Sequence, residues 1–515
     1  MRSLTSAVWI WLSGLSMLVA TMSGAMLPAN SLLAASELPN TFTVGPSIAW
    51  GNCVDAGLHK AHAQCGSLSV PLDYAHPSGQ HITIAVSRIR ATAPVAKRQG
   101  PLLINPGGPG DSGLTQPAYL ASALPKDVAA AYDLIGFDPR GVGRSRPALV
   151  CSRGYQSGVR PRYTPRSAQD PTVQTWLKRS ADFARACAKN QPALLPHLTT
   201  VDAAKDLDQL RQALGARRIN YYGFSYGTYL GQVYATLFPT HTRRLVLDGV
   251  VDPSGVWYGA EHAQDVAFQT AIEHFFGWVA AHDKVLHLGA TQKAVQARNV
   301  REQHALDRKP VGVIGGDEWN DVFLDAGYFQ SDWPDIAAAW RDWDAGKRAP
   351  FLGRYRDNLE DQDNDYAMYL GVQCVDAPWP RDFATWQRDA QRLSAHAGFE
   401  TWPNVWYDAP CLTWPVPAGR PLSINGLLTP EVLLVNSTLD GATPYPGALA
   451  VRRSFPHAAL VAQVGSVSHA DSLNGNSCVD AAVISYLRTG KLPPRKPGNG
   501  PDVSCKRSPL PTPKP

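Results

Sequence analysis

The stretch from Ile219 to Leu230, which contains Gly223-Phe-Ser225-Tyr-Gly227, constrains this chain more than any other. A short apolar run precedes the serine, and a segment that suits a helix follows it as far as Pro239. A Gly-x-Ser-x-Gly turn between a strand and a helix is typical of a nucleophile elbow. The flanking residues must be small because the turn is sharp and strained. One such motif is weak alone, so a base, an acid and an oxyanion site must be found elsewhere.

Strand-like and helix-like segments alternate on both sides of this motif. A helix is predicted over 201–214, where Gly215 gives it a C-terminal stop. Short apolar runs separated by helices indicate a mostly parallel sheet that is covered on both faces. Two earlier runs predict a hairpin, because turn residues separate them. The predicted strands, apart from the one before the elbow, lie at 65–74, 81–89, 101–105, 132–138, 244–250, 431–437 and 458–464.

The alternation stops in the middle of the chain. Segments rich in Trp and charge, such as 338–343 and 383–397, suit helices and replace the strands there. A chain of 515 residues exceeds one ordinary core, so an inserted domain is expected. We therefore predict an α/β core with a mainly helical cap. The predicted parts are a signal peptide (1–36), core (37–253), cap domain (254–426), core again (427–492) and a Pro-rich tail (493–515).

The composition excludes some classes of function. Apolar residues make up 44% and charged residues 18%, as in a globular protein. The net charge of +5 is small for this length and no basic block occurs, so nucleic-acid binding has no support. The oligomeric state is not predicted by any pattern.

The N-terminus predicts export. Arg2 precedes an apolar run over 7–27, and small residues follow at 34–36. This order is that of a secretory signal, with cleavage after Ala25 or near Ala35. An uncleaved anchor is the alternative, because the run is long enough to span a bilayer. No later segment has that character, so we expect a secreted or periplasmic protein without stable membrane insertion after signal removal.

Eight cysteines agree with export. An even count behind a signal peptide favours disulfides over free thiols. Many connectivities are open, and neighbour pairing is the prediction because each pair then closes a modest local loop. Zinc is the alternative, but the chain has no Cys-x-x-Cys spacing, so no metal is expected. The predicted pairs are Cys53–Cys65, Cys151–Cys187, Cys374–Cys411 and Cys478–Cys505.

A serine nucleophile needs an imidazole base that a carboxylate orients. Behind an elbow the partners follow in the order Ser, acid, His. His469 lies just beyond the last predicted strand, where a loop at the carboxyl edge of the sheet should be, whereas His457 precedes that strand. Asp440 follows the strand at 431–437 and is the predicted acid. Asp248, at the end of an earlier strand, is the reserve acid.

The tetrahedral intermediate requires preset N–H donors. One should be the backbone N–H of Tyr226, directly after the nucleophile. The other should come from the glycine-rich loop Asn105–Gly113, which follows a buried strand. Phosphate binding is the alternative for such a loop. The run Gly108-Pro-Gly-Asp-Ser-Gly113 fits Gly-x-Gly-x-x-Gly, but one such match is weak and the chain lacks Gly-x-x-x-x-Gly-Lys, so no nucleotide cofactor is expected.

Four motifs that occur in order carry a family resemblance. They resemble the secreted tripeptidyl aminopeptidases, relatives of proline iminopeptidase in the α/β-hydrolase superfamily, over about residues 50–490. The motifs are Asn105-Pro-Gly-Gly-Pro-Gly, Gly136-Phe-Asp-Pro-Arg-Gly-Val-Gly-Arg-Ser145, Gly223-Phe-Ser-Tyr-Gly-Thr and Leu439-Asp-Gly-Ala-Thr-Pro.

The resemblance implies an α/β-hydrolase fold, with Ser225, Asp440 and His469 as nucleophile, acid and base. It also implies Gly108 and Tyr226 as the oxyanion donors. One departure is local: the family often has Gly beside the catalytic histidine, where this chain has Ser and Ala.

An aminopeptidase must also hold a protonated α-amine, and a carboxylate in the cap would do so. Asp376, in Gln373-Cys-Val-Asp376, resembles a Cys-x-Asp element of the family's cap and is the predicted amine-binding residue. A disulfide at Cys374 would fix its position. Asp317 and Glu318 are weaker candidates.

The expected activity is hydrolysis of peptide bonds near free N-termini through an acyl-enzyme, without a cofactor. An esterase or lipase with the same triad is one alternative, and a catalytically silent binding protein with this fold is another. Dehalogenase and epoxide-hydrolase chemistry is set aside because it uses an Asp at the elbow.

Overall fold

One mostly parallel sheet forms the centre of the computed structural model, which describes residues 46–167, 169–357 and 362–514. The predicted signal peptide, 1–36, lies outside the described residues. The described strands are β1 (Gly51–Asn52), β2 (Gln64–Pro71), β3 (His81–Ile89), β4 (Gly100–Asn105), β5 (Tyr132–Phe137), β6 (Ile219–Phe224), β7 (Thr242–Asp248), β8 (Val432–Ser437), β9 (Ala458–Val464) and β10 (Val503–Lys506).

The strand order is β1-β2-β3-β5-β4-β6-β7-β8-β9-β10. All pairs from β5 to β10 are parallel, whereas β3 pairs antiparallel with both β2 and β5. The predicted hairpin and the predicted parallel sheet are therefore confirmed. All six residues of β6 are buried, as expected of an interior parallel strand that is covered on both faces.

Helices cover this sheet and fill one long insertion. The predicted helix at 201–214 is confirmed: it begins after Thr199, whose side chain accepts from the Asp202 N–H. The described helices are α1 (Ala56–Lys60), α2 (Gln116–Ala123), α3 (Lys126–Ala129), α4 (Pro171–Asn190), α5 (Thr200–Ala213), α6 (Tyr226–Leu237), α7 (Tyr258–Ala281), α8 (Asp283–Leu286), α9 (Gln292–Arg308), α10 (Gly316–Tyr328), α11 (Trp333–Asp344), α12 (Ala349–Asp357), α13 (Gln362–Asp376), α14 (Phe383–Ser394), α15 (Thr401–Asp408), α16 (Tyr445–Ser454) and α17 (Ser477–Thr489).

The helices α7 to α15 lie between β7 and β8 and form the helical insertion. Its first part has an apolar cluster of its own, built around Trp319, Trp333 and Trp340. Its last part packs on the main core through Trp386 and Trp406. The many tryptophans of this region therefore mainly build cores, because most of their large apolar surfaces are buried. The boundaries 254–426 of a cap domain stay a prediction.

Four disulfides join the cysteines in the neighbour pairing that the sequence predicted. The pair Cys374–Cys411 lies inside the helical insertion, and Cys478–Cys505 ties α17 to β10. None of the described helices has both the length and the apolar character needed to cross a bilayer.

The C-terminal tail connects the sheet to the helical insertion. It adds β10 to the sheet edge, parallel to β9, and then continues in extended form. The Trp278 indole N–H in α7 donates to the Pro511 carbonyl at 2.9 Å, and Arg341 in α11 donates to the Lys514 carbonyl at 3.1 Å. Lys514 also forms an ion pair with Asp335 of α11. The tail is thus an additional link between these two parts of the molecule.

Candidate active site

Ser225 stands at the sharp turn between β6 and α6. Its backbone has φ 53° and ψ −127°, a conformation that non-glycine residues rarely adopt and that marks local strain. The Ser225 N–H donates to the Asp248 carbonyl at 2.9 Å, and Thr228 donates twice to the Ser225 carbonyl. These bonds hold the strained residue in place. The side chain is half-buried, so the hydroxyl remains reachable.

The two glycines of the motif are required by close backbone contacts. A Cβ on Gly223 would lie 2.4 Å from the Gly227 carbonyl oxygen. A Cβ on Gly227 would lie 2.7 Å from the carbonyl oxygen of Asn105 at the end of β4. Both distances are below any tolerable contact, so the elbow accepts only glycine at these positions.

His469 and Asp440 form a buried pair beyond the ends of β9 and β8. The imidazole Nδ1 lies 2.9 Å from Asp440 Oδ2 and 3.0 Å from Oδ1. Burial lowers the pKa of His469, but the attraction and hydrogen bond of Asp440 more than offset this, so the pKa ends above its ordinary value. Among the described residues Nε2 has no hydrogen-bond partner, which leaves it available for a proton from a nucleophile.

The ends of the central strands bring nucleophile and base to one edge of the sheet. Gly249 directly follows Asp248, whose carbonyl binds the Ser225 N–H. A Cβ on Gly249 would lie 2.9 Å from His469 Cε1, so the imidazole rests on this glycine. The structure therefore gathers Ser225, His469 and Asp440, as the sequence order predicted, although no hydrogen bond joins the serine hydroxyl to Nε2. Such bonds often tighten only when substrate binds.

The glycine-rich loop after β4 passes directly over the nucleophile. A Cβ on Gly107 would lie 2.9 Å from Ser225 Cβ and 3.4 Å from the Tyr226 backbone nitrogen. Gly107 and Gly108 have φ of 119° and 97°, which only glycine adopts readily. Neither the Gly108 nor the Tyr226 N–H donates a hydrogen bond within the described part of the chain. Both amides are therefore free to bind an oxyanion.

Thr443 is a site residue that the sequence analysis missed. Its hydroxyl donates to Asp440 Oδ2 at 3.0 Å and lies 3.2 Å from His469 Nδ1. The backbone N–H groups of Ala442 and Thr443 both donate to Asp440 Oδ1 at 2.9 Å. An Asp side chain that accepts from the backbone two residues further on forms a common turn, and Asp440 before Gly441 was the available signal. Thr443 thus fixes the carboxylate that orients the base.

We predict that Thr443→Val lowers kcat/KM about tenfold, because Asp440 loses a donor and the base loses part of its orientation. The threonine hydroxyl also competes with the imidazole for the same carboxylate oxygen. Its removal should therefore raise the pKa of His469 further and move the acid limb of the pH–rate profile to higher pH. Thr413→Val, at an exposed position, is the control. A lower rate with an unmoved profile would show a purely structural role.

Asp248, the reserve acid, supports the base loop instead of contacting the imidazole. Its carboxylate accepts from the Ser472 N–H at 2.9 Å and from the Ser472 hydroxyl, which in turn lies 2.6 Å from the Tyr222 hydroxyl. Burial raises the pKa of Asp248 to about 7. Since Ser472 is three residues beyond His469, Asp248 holds the loop that carries the base.

Asp376 lies at the N-terminus of α5 and not with the triad. Its oxygens accept from the Thr200 N–H at 2.7 Å and from the Thr200 hydroxyl, which also lies 2.8 Å from the Tyr226 hydroxyl. A carboxylate at a helix N-terminus satisfies free N–H groups there. These contacts give no support to the predicted amine-binding role of Asp376, because both of its oxygens already have donors. Asp317 and Glu318 lie beside Arg160, and Glu318 forms an ion pair with it.

A second cluster of carboxyl groups, the acidic cavity, lies in the helical insertion. Glu261 and Asp265 of α7 and Asp408 of α15 line a cavity of about 20 Å³, which has room for one water-sized group. All three side chains are buried, and burial raises each pKa, that of Asp265 to about 7. Mutual repulsion raises the pKa of Glu261 and of Asp408 further. Asp408 Oδ1 has no hydrogen-bond partner among the described residues.

Two residues connect the region of the acidic cavity with the loops that carry the acid and the base. Gln264, between the two α7 carboxyl residues, donates to the Ala442 carbonyl at 2.7 Å, in the loop that fixes Asp440. Tyr328 contacts the base, because its carbonyl accepts from the His469 N–H at 2.8 Å. Burial raises the pKa of the Tyr328 hydroxyl, and the charges of Glu261 and Asp440 both raise it further. Helix α7 therefore both lines the cavity and contacts the loop that fixes the acid.

A strained serine over a parallel sheet, backed by a buried His–Asp pair, defines a serine hydrolase. A family model described as the alpha/beta hydrolase fold matches residues 100–473. The chain belongs to the α/β-hydrolase family, and its relatives include serine peptidases.

Three relatives illustrate its place in that family. The tripeptidyl aminopeptidase of Streptomyces lividans is 40% identical, over 91% of this chain and 88% of the relative. The carboxylesterase B of Mycobacterium tuberculosis is 33% identical, over 89% of this chain and 91% of the relative. The serine protease Hip1 of the same species is 30% identical, over 84% and 86%.

Proposed function

We propose that this chain is a secreted serine aminopeptidase that releases short peptides, tripeptides foremost, from free N-termini. The acidic cavity carries the proposal, because it offers an ammonium-binding site on α7, the helix that contacts the loop of Asp440. The similarity to a tripeptidyl aminopeptidase over most of both chains supports the same substrate class. Four disulfides support an oxidising compartment, in agreement with export by an N-terminal signal.

In the proposed mechanism Ser225 attacks the substrate carbonyl while His469 Nε2 takes its proton. Asp440 stabilises the imidazolium, and Thr443 and two backbone amides hold Asp440 in position. The Gly108 and Tyr226 N–H groups receive the negative charge of the tetrahedral intermediate. His469 then returns the proton to the leaving amine, and water hydrolyses the acyl-enzyme by the reverse sequence.

Amine recognition follows from the electrostatics of the acidic cavity. Burial raises the pKa of all three carboxyl groups, and repulsion between neighbouring carboxylates raises those of Glu261 and Asp408 further, so without a counter-charge the protonated forms are favoured. An ammonium group fits a water-sized space and would favour their ionised forms. Its N–H groups would also supply the donor that Asp408 Oδ1 lacks. An N-acylated terminus brings neither the charge nor the size that this cavity accommodates.

The test compares a tripeptide aminocoumarin amide that has a free N-terminus with its N-acetylated form. We expect kcat/KM to be at least about a hundredfold higher for the free amine, since a buried charge pair is at stake. Mass spectrometry of a longer peptide should show release of three residues at a time. Equal turnover of both amides, or hydrolysis of simple esters alone, would refute the aminopeptidase and favour the esterase that one relative's name suggests.

A further inference from the structure

Asp111 is an exposed carboxylate in the glycine-rich loop, three residues after Gly108. A Cβ on Gly108 would lie 3.2 Å from Asp111 Cγ, so the carboxylate is held close to the proposed oxyanion donor. The next residues are anchored: the Ser112 hydroxyl donates to Asp138 at 2.5 Å and the Gly113 N–H does so at 3.1 Å. The position of Asp111 is therefore set by a fixed loop.

The loop that carries Asp111 packs against the helical insertion. Gly110 packs against this insertion, because a Cβ there would lie 2.3 Å from the Asp365 carbonyl oxygen of α13. The charge of Asp111 raises the pKa of the Tyr328 and Tyr407 hydroxyls, and Tyr407 of α15 is 37% exposed. Asp111 thus lies near Tyr407 of the helical insertion and near Tyr328, whose carbonyl accepts from the His469 N–H.

No partner for this carboxylate exists in the described part of the chain: no Lys, Arg or His forms an ion pair with it, and no group donates a hydrogen bond to it. The protein that surrounds Asp111 reduces the hydration of its carboxyl group and so raises its pKa, although the residue remains exposed. Asp138, in contrast, accepts from three groups of the same region.

A negative charge at this position opposes the negative charge that develops on the intermediate. The opposition disappears when a cation pairs with Asp111 during the reaction. Since the protein supplies no such cation among the described residues, the substrate is the source. We propose that Asp111 selects a basic side chain, Lys or Arg, on the substrate residue whose carbonyl Ser225 attacks.

This inference rests on the proposed function and adds a second, separate requirement to it. The acidic cavity would hold the α-amine of the substrate, whereas Asp111 would hold a side chain next to the scissile bond. The two sites belong to different segments of the chain and can be removed independently.

The experiment uses two tripeptide aminocoumarin amides that differ only in the last residue, which is lysine or its uncharged analogue norleucine. For the full chain we expect kcat/KM about tenfold higher for lysine. In Asp111→Asn the ratio should fall to about one, while the norleucine substrate is cleaved at least as fast as before. Asp127→Asn, an exposed acid of α3 that pairs with Arg488, is the matched control and should keep the ratio.

A wild-type ratio near one, or a tenfold ratio that survives in Asp111→Asn, would overturn the inference. A preference that depends only on the residue after the scissile bond would overturn it as well. A second experiment tests the role of Asp111 independently of the peptidase proposal. It compares the labelling of Ser225 by two diphenyl phosphonates, one with an aminopentyl chain and one with a pentyl chain. Faster labelling by the aminopentyl reagent, lost in Asp111→Asn, would support the role of Asp111 even if neither peptide were cleaved. Failure to cleave either peptide would refute only the peptidase proposal.

Discussion

Replacement of Ser225 by alanine is expected to lower kcat by about a million-fold while the protein stays folded. The serine hydroxyl makes no hydrogen bond in the described structure, so its removal leaves no buried group without a partner. Alanine adopts the strained φ of 53° no less readily than serine does, and the bonds that hold the turn come from the backbone and Thr228. The measurements are steady-state hydrolysis of a tripeptide amide and thermal unfolding.

Ser423→Ala, at an exposed position outside the cleft, is the control for this variant. Labelling by a fluorophosphonate should occur in the wild type and in Ser423→Ala but not in Ser225→Ala. Residual activity above about one per cent of wild type would place the nucleophile elsewhere, since a lost nucleophile costs far more than that.

Neutralising two carboxyl groups of the acidic cavity is the second change with a large expected effect. The double variant Glu261→Gln with Asp408→Asn keeps the shape of the cavity but removes two of its three carboxyl groups and leaves Asp265. We expect kcat/KM for a free-amine tripeptide to fall about a hundredfold, because the buried ammonium would then have Asp265 as its one counter-charge in the cavity. Slow hydrolysis of the N-acetylated substrate should not change.

The double variant should lose activity without losing thermal stability. The pKa of Asp265 is raised from 3.8 to about 7 on folding, so the folded state binds more protons than the unfolded state between these values. The contribution of this group to stability is therefore lost as pH rises through that window. Removal of two neighbouring carboxyl groups relieves the repulsion, and the thermal midpoint at pH 7.5 should stay equal or rise.

Glu400→Gln is the matched control for this pair of variants. Glu400 is a buried acid of raised pKa that accepts from Asn320 at 3.2 Å but does not line the cavity. Its substitution should leave discrimination between free and acetylated substrates intact. Equal losses in both variants would attribute the effect to general disruption of the helical insertion.

The elbow, the acid and the base could be found from sequence because each belongs to a local pattern tied to a strand end. Ser225 has its glycines, and Asp440 and His469 each follow a buried strand directly. The structure places all three together because parallel strands present their carboxyl ends at one edge.

The acidic cavity could not be found in this way. Its carboxyl groups come from α7 and α15, more than a hundred residues apart in the sequence, and only the packing of the helical insertion brings them together. Asp376 is the opposite case, a residue with a local sequence pattern and an unexpected contact. Its Cys-x-Asp context predicts an amine-binding residue, whereas its contact with Thr200 at a helix N-terminus has no pattern in either segment.

The C-terminal tail has a practical consequence for attaching this protein to a support or a partner. β1 and β10 are the two edge strands of the sheet, so the chain enters at one edge and leaves at the other. After β10 it runs on to Arg341 and Asp335, on the helical insertion. A tether at the C-terminus would therefore pull directly on the part of the molecule that holds the acidic cavity. A tether before β1 would transmit its load to the opposite edge of the sheet.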